Sequence, residues 1–451
     1  MMTPGRRLIL LAGAAGAACA AAFAAGPGFF PLWAGLLAAV AAVAVLDALA
    51  GRRRLARLSA ETAPLTRMFL GRDGEIPLLL RSGGPGPLRV RAALSLPPEF
   101  ESPRADVTAE LAGPGVFALS WPCRGLRRGE FASGGVWLET PSPLGLWDMR
   151  GGGADGGGRI RVYPDMLRDR RGMASVFLNR GAAGSHARRQ VGRGREVEKL
   201  RDYMPGDGYE DIHWKATAKR GRPVSKEYQI ERTQEVYVCI DASRLSAREV
   251  LLPPAAPGGP ETRTTQLERQ ITAALLLGLV AGRQGDLFGL ALFDDQMRAF
   301  VRARSGGAHY GACRDAVYAA QPRMVNPDFA EAFSFLRLRL RRRALLVFLT
   351  CLDDPVAAEQ FAAHIRLLSS RHVVLVNAAT DPLVAPLFTG EAPAGEDGAY
   401  RRLGGHLLWR RLRETGAALQ RLGAPVAVMR NETLCPQVVA RYMETRRRQL
   451  L

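Results

Sequence analysis

The sequence predicts an α/β protein in three parts: an N-terminal pair of apolar helices, a small β-sandwich, and a doubly wound, mostly parallel sheet. Three observations carry this. Two long apolar runs open the chain. Short β-like runs broken by Gly and Pro fill residues 60–160. From about residue 234, brief apolar runs alternate with stretches of helical spacing. A length of 451 residues suits two or three folded units at roughly 100–200 residues each. The expected boundaries are 1–58 for the helices, 59–165 for the sandwich, 166–233 for a connecting segment and 234–451 for the parallel-sheet domain.

Residues 8–25 form an uncharged apolar run of 18, and residues 29–50 a second of 22 interrupted only by Asp47. Each reaches the roughly 20 residues a helix needs to cross a bilayer. Gly26-Pro27-Gly28 between them is too tight for an intervening domain, so they read as a membrane hairpin. Arg6 and Arg7 precede it, and Arg52, Arg53, Arg54 and Arg57 follow it. By the positive-inside rule both flanks, and everything after residue 51, are expected in the cytoplasm, at the inner membrane. The first run also fits a cleavable signal peptide, with Ala20-Ala21-Ala22 as the small-residue site; the second would still anchor the chain.

In the next part, the runs 76–80, 88–96, 116–121 and 136–139 with close turn signals indicate an antiparallel sandwich. The glycine-rich run 151–158 lacks a following Lys-Ser/Thr and is a loop, not a phosphate cradle. Beyond it, strands are expected at 236–240, 287–293, 345–349, 373–376 and 426–429. Helices are expected at 267–280, 329–340, 356–368, 407–422 and 438–448. Such alternation builds a parallel sheet covered on both faces. Residues 300–303 fit a short antiparallel edge strand, and 251–263, with four prolines, a loop.

Composition limits the chemistry. Six cysteines without a Cys-x-x-Cys pair exclude a disulfide scaffold and a thiolate zinc site. Against 43 acidic residues stand 62 basic ones, for a net charge of +19. Only Lys199, Lys215, Lys219 and Lys226 are lysines; the other 58 are arginine, an excess that reads in part as codon bias. No nucleic-acid motif or aromatic-interleaved basic stripe accompanies the charge, which leaves nucleic-acid binding as a weak alternative.

In doubly wound sheets ligands bind beyond the carboxyl ends of the strands, where the strand order reverses. The first strand ends in Asp241-Ala242-Ser243-Arg244-Leu245-Ser246 and the fourth in Thr350-Cys351-Leu352-Asp353-Asp354. Hydroxyls and carboxylates meeting there are the hard oxygen ligands that Mg²⁺ takes. A parallel sheet opening with Asp-x-Ser resembles the von Willebrand factor A-type domain, in which an Asp-x-Ser-x-Ser loop, a threonine and a second aspartate hold a divalent ion. The resemblance implies metal-site roles for Asp241, Ser243, Thr350 and Asp353, with Mg²⁺ as the cofactor. Leu245 replaces the second serine, Ser246 is one residue out of register, and Cys351 stands near the place of the aspartate, so the implied site is eroded. The alternative is that Asp241 and Ser243 simply cap the following turn.

A longer signature precedes the sheet: 197–207, then Ile212-His213-Trp214-Lys215, then Ala218-Lys219-Arg220, then 224–228. With Arg127-Arg128-Gly129-Glu130-Phe131 and Ser142-Pro143-Leu144-Gly145-Leu146, it resembles the bacterial "domain of unknown function fifty-eight" family. Its marker residues here are Arg201, Tyr203, Gly206, Asp207, Trp214, Lys219 and Arg220. Members are commonly encoded beside MoxR-type AAA+ ATPases and transglutaminase-like membrane proteins. The resemblance therefore implies an accessory role with such an ATPase in protein maturation or complex assembly. Physically, Trp214 reads as a buried anchor and Arg201 with Asp207 as a polar lock. The competing reading is a docking face of Arg193, Arg195, Lys215, Lys219, Arg220 and Arg222, facing an acidic partner or anionic lipid.

The reading that results is a membrane-tethered interaction protein and not an enzyme. The enzymatic alternative is a nucleophilic Cys351 with His213, His364 or His372 as base, which needs a lowered thiol pKa and a base in reach.

Overall fold

The computed structural model describes residues 1–25, 30–152, 157–167, 169, 191–204, 208–209, 212–229, 234–254, 261–380, 383–387 and 395–448. Of the signature, Gly206 and Asp207 lie outside the described residues. The chain divides into two compact units, Met1–Asp165 and Met166–Leu451.

In the first unit, the apolar runs form helices α1, Arg6–Ala25, and α2, Phe30–Leu55. Among the described residues one helical stretch, Trp33–Leu55, is long and apolar enough to cross a membrane. Leu8 and Leu11 of α1 line a shallow apolar groove with Ala39, Val40 and Val43 of α2. Among the described residues the β part holds three sheets. In the five-stranded one the order is Met2–Pro4, Trp147–Gly152, Val136–Pro141, Leu88–Leu94, Val107–Leu111. A four-stranded sheet runs Leu58–Thr62, Asp73–Ser82, Gly115–Gly125, Phe100–Glu101. Alternate residues Ile76, Leu78 and Leu80 point inward with Val90, Ala92, Trp121, Leu138, Ile160 and Val162, the period-two pattern of a strand with one buried face. Two features depart from the expected antiparallel sandwich. Leu65–Phe69 pairs parallel to Arg159–Tyr163, and Met2–Pro4 contributes an edge strand from ahead of α1.

Asp47, the charge that interrupts the second apolar run, is buried. It lies on the inner face of α2 with Ala44, Ala48 and Gly51, one and two turns apart. Its carboxylate accepts a hydrogen bond from the Ser142 hydroxyl and from the backbone N–H groups of Leu144 (2.9 Å) and Leu146 (3.3 Å). Trp147 donates its indole N–H to the Ala44 carbonyl at 2.8 Å. Gly51 is required because a Cβ there would come 2.9 Å from the Met149 side chain and 3.1 Å from Ser142. The run Ser142–Leu146 of the signature is thus the receptor for a helix carboxylate.

The second unit is built on a six-stranded sheet: β1 Glu235–Asp241, β2 Leu287–Phe293, β3 Met297–Arg304, β4 Ala344–Thr350, β5 Val373–Thr380 and β6 Val426–Arg430. Their spatial order is β3-β2-β1-β4-β5-β6, all parallel except β3. Buried on both faces, these strands are continuous apolar runs. One face packs on the helix Gln266–Arg283 and on Leu434–Arg447; the other packs on Phe329, Phe333 and Phe361 from Phe329–Arg339 and Pro355–His364. The helix Gly307–Val317 and the pairing of Glu249–Leu252 with Thr262–Thr265, where a loop was expected, were not legible in the sequence. Arg269, enclosed in this core, makes a bidentate pair with Asp169 at 2.8 and 2.9 Å. Ahead of the sheet, Val191–Asp202 and Val224–Gln229 form an antiparallel ribbon, and between them lies the short helix α3, Trp214–Arg220.

Replacing Asp47 by Ala leaves three donors on the Ser142–Leu146 loop without an acceptor, each costing about 1–3 kcal/mol when buried. The expected result is a lower thermal midpoint and faster hydrogen exchange at 142–147; unchanged exchange would remove the carboxylate from its holding role.

Candidate functional site

The strand order reverses between β1 and β4, so the tips of these two strands are neighbours and open a crevice there. Thr350, at the end of β4, donates its hydroxyl to Asp241 Oδ2 at 2.6 Å. The Ser243 N–H donates to Asp241 Oδ1 at 2.9 Å, closing the side-chain turn that short acidic residues favour. All three residues are buried. Burial holds the Asp241 carboxyl above its ordinary range, against the hydrogen bonds from Ser243 and Thr350 that lower it.

The remaining residues named for the metal site do different work. Asp353 is paired with Arg248, and the neighbouring Asp354 with Arg244 while also capping the helix Pro355–His364. Leu245 is buried at the position of the second serine, and Ser246 turns its hydroxyl onto the Ser243 carbonyl at 2.7 Å. Ser243 Oγ is buried and has no hydrogen-bond partner among the described residues. A divalent ion needs six or more oxygens gathered round one point. Here the carboxylate of Asp241 is engaged by two protein donors and those of the β4 tip by arginine. Among the described residues no group of three His, Cys, Asp or Glu side chains could hold a metal. The donor set does not fit a resident Mg²⁺.

Arg244 and Arg248, four residues apart just after β1, were missed in the sequence. The signal was present: two arginines follow one tip and two adjacent aspartates follow the other. Asp294, at the end of β2, extends the pattern; it is buried and paired with Arg298 at 2.7 Å and Arg323 at 3.4 Å.

Beside the tips runs a groove lined by Arg244, Leu245, Arg248, Leu383, Val384, Arg401, Gly404 and Leu408, among others. One wall is the 383–387 segment, fastened to the helix Gly395–Arg421. Its Leu387 N–H donates to His406 Nδ1 at 3.2 Å, and the Leu383 carbonyl lies where a Cβ on Gly405 would come within 2.0 Å. Leu383 is 58% exposed, and Tyr400, Leu403 and Leu407 add an exposed apolar stripe to the same helix.

The chemistry required of a Cys351 nucleophile is absent. Burial, with Asp241 and Asp353 nearby, pushes its thiol well above the ordinary range, whereas a nucleophile needs the thiolate. His213 accepts from Ala216 N, His364 bonds the Gln360 carbonyl, and His372 accepts from Ala344 N at the opposite end of β4.

In the signature, Trp214 is 62% exposed and not the buried anchor expected of it. Its ring lies 6.3 Å from that of Tyr209, itself exposed. Ile212 and Val224 are buried instead, and Gly221 ends α3 in the left-handed conformation (φ 67°). Arg201 donates to the Asp202 carbonyl, Asp202 pairs with Arg222 at 3.0 Å, and Tyr203 N–H reaches the Pro223 carbonyl. Lys219 and Arg220 are exposed in the last turn of α3. The side chains of Arg193 and Arg195 lie outside the described residues.

Because the folded Asp241 carboxyl binds its proton more tightly than the unfolded one, its contribution to stability falls as pH rises through the raised value. Asp241→Asn removes that fall. The variant should match the parent near pH 4 and gain on it towards pH 7, by about 1.4 kcal/mol for each pKa unit of the shift. Asp286, also raised by burial, is common to parent and variant and cancels, whereas Asp294, whose charge also raises Asp241, is relieved by the same substitution and adds to the gain towards neutral pH. A stability difference independent of pH would contradict the assignment.

Uncharacterized proteins of Mycobacterium bovis and Mycobacterium tuberculosis are 24% identical to this chain over 201 residues, which is 44% of this chain and 59% of theirs. The chain thus spans about 59% of the length of these curated relatives. Two solved structures are similar at low level. The conserved hypothetical protein BatB from Bacteroides thetaiotaomicron is 13% identical with a TM-score of 0.30, over 47% of this chain and 98% of its own. An aerotolerance-related membrane protein from Bacteroides fragilis is 14% identical with a TM-score of 0.28, over 47% and 99%. Neither structural likeness is close enough to bear on function. Residues 199–391, from the ribbon through β5, match the family described as protein of unknown function DUF58, which supports the resemblance carried by the signature.

Proposed function

We propose that this chain is a membrane-tethered interaction protein with no catalysis of its own. Its von Willebrand factor A-like unit binds an acidic surface of a partner at the carboxyl edge of the sheet. The partner class is a MoxR-type AAA+ ATPase, acting in protein maturation or complex assembly. The observation that carries this reading is the groove at the strand tips, where Arg401 and the exposed Leu383 stand beside Arg244 and Arg248, which are paired with Asp354 and Asp353 on the same wall. Arginine is enriched among the residues that dominate binding energy at protein interfaces. A bidentate guanidinium can receive a carboxylate where a metal would otherwise do so.

The tether supports an inner-membrane location. Trp33–Leu55 has the length and apolarity to span, and Arg52, Arg53 and Arg54 in the last turn of α2 support a cytoplasmic side for the soluble units by the positive-inside rule. The exposed Leu36, Leu37, Val45, Leu46 and Leu49 suit lipid contact. In this reading α1 is the first arm of a hairpin.

Arg401→Glu in the detergent-solubilised chain should weaken ATPase binding at least about tenfold, the cost of placing like charge against an acidic surface. Gly405→Ala should do the same by displacing the Leu383 carbonyl, with the sheet still folded. Normal binding by both folded variants would remove the groove from the interface. Titration of Mg²⁺ or Mn²⁺ should give the same heat for the parent chain and Asp241→Ala; a site-specific heat lost in the variant would restore the ion.

A further inference from the structure

All four lysines of the chain, 199, 215, 219 and 226, fall within one ribbon-and-helix segment, against 58 arginines distributed elsewhere and alongside them. Lysine is depleted and arginine enriched where proteins meet proteins. Lysine is a mobile, hydrated point charge, suited to a surface of phosphates without fixed geometry.

The geometry of α3 sharpens this. Trp214, Lys215, Ala218 and Lys219 are exposed at positions one helical turn apart and form one outward face. The inward side is fixed: Thr217 Oγ1 accepts from Val224 N at 3.1 Å, and Ile212 is buried. Neither Lys215 nor Lys219 is ion-paired among the described residues. Beside Trp214 stand Tyr209, 77% exposed, and Met204, 61% exposed. Trp and Tyr with flanking lysines are what the membrane–water interface selects: rings among the headgroups, cations at the phosphates.

We infer that the outward face of α3 rests on the headgroup layer of an anionic phospholipid membrane, with Trp214 and Tyr209 inserted and Lys215 and Lys219 against the phosphates. This is a second membrane contact, separate from the apolar helices and from the groove. It rests on the tether to keep the segment near lipid.

The test is hydrogen exchange of the full chain in nanodiscs of phosphatidylcholine alone or with phosphatidylglycerol. Exchange over 33–55 reports the tether, and exchange over 212–222 reports the contact, so the two can fail separately. Exchange over 212–222 should slow when phosphatidylglycerol is present and recover at high salt. Lys215→Gln and Lys219→Gln should each reduce the protection about fivefold, the effect of one basic residue at an anionic surface. Trp214→Ala should reduce it as well, while the paired strands 197–202 and 224–228 keep their protection and show that the ribbon is folded. Equal exchange in the two lipids, or protection that appears only on adding the ATPase, would overturn the inference.

Discussion

The hydrogen bond from Thr350 to Asp241 joins two strands whose crossovers leave in opposite directions, and the tip chemistry of the second unit depends on it. A carboxylate buried at such a point must be satisfied or neutralised. Asp241 is satisfied by one hydroxyl and one backbone N–H, both from residues adjoining its own strand or the next. The carboxylates further out, Asp353 and Asp354, are neutralised by Arg248 and Arg244. The charge balance that a divalent ion would otherwise impose is therefore met inside the polypeptide. What reaches solvent from this edge includes the partly exposed guanidinium groups of Arg244 and Arg248 and the side chain of Leu383.

The sheet was legible in the sequence because its strands are buried on both faces and carry uninterrupted apolar runs, as at 287–293 and 345–349. The edge strand at 300–303 was legible from its place after β2, though it extends over Met297–Arg304. The helix Gly307–Val317 escaped because only Cys313 and Val317 are buried in it, too few for a helical stripe. In the sandwich, the alternation of 76–80 gave its strands, while the parallel pairing of Leu65–Phe69 with Arg159–Tyr163 depends on contacts about ninety positions apart, which no local pattern encodes.

The site was legible in its position and less so in its content. That Asp241 and Thr350 would meet followed from topology. That arginines would neutralise the second tip did not, since it depends on pairs about 105 and 110 residues apart in the chain. Trp214 shows the limit of reading residue type alone. A large aromatic is buried more often than not, yet here the buried places are taken by Ile212 and Val224, which flank α3 in the chain, and the indole is left outside. An exposed tryptophan on a seven-residue helix is the more informative outcome.

The carboxylate of Asp47 has a mechanical corollary. α2 ends at Leu55 and the first strand of the four-stranded sheet begins at Leu58, so the joint between them is too short to swivel. With Asp47 gripping the 142–146 loop a further two turns up, helix and sandwich share two points of attachment. Two fixed points define a lever. Tilting or pulling on the apolar helix must therefore turn the sandwich with it, as a rigid arm transmits torque where a flexible tether would absorb it.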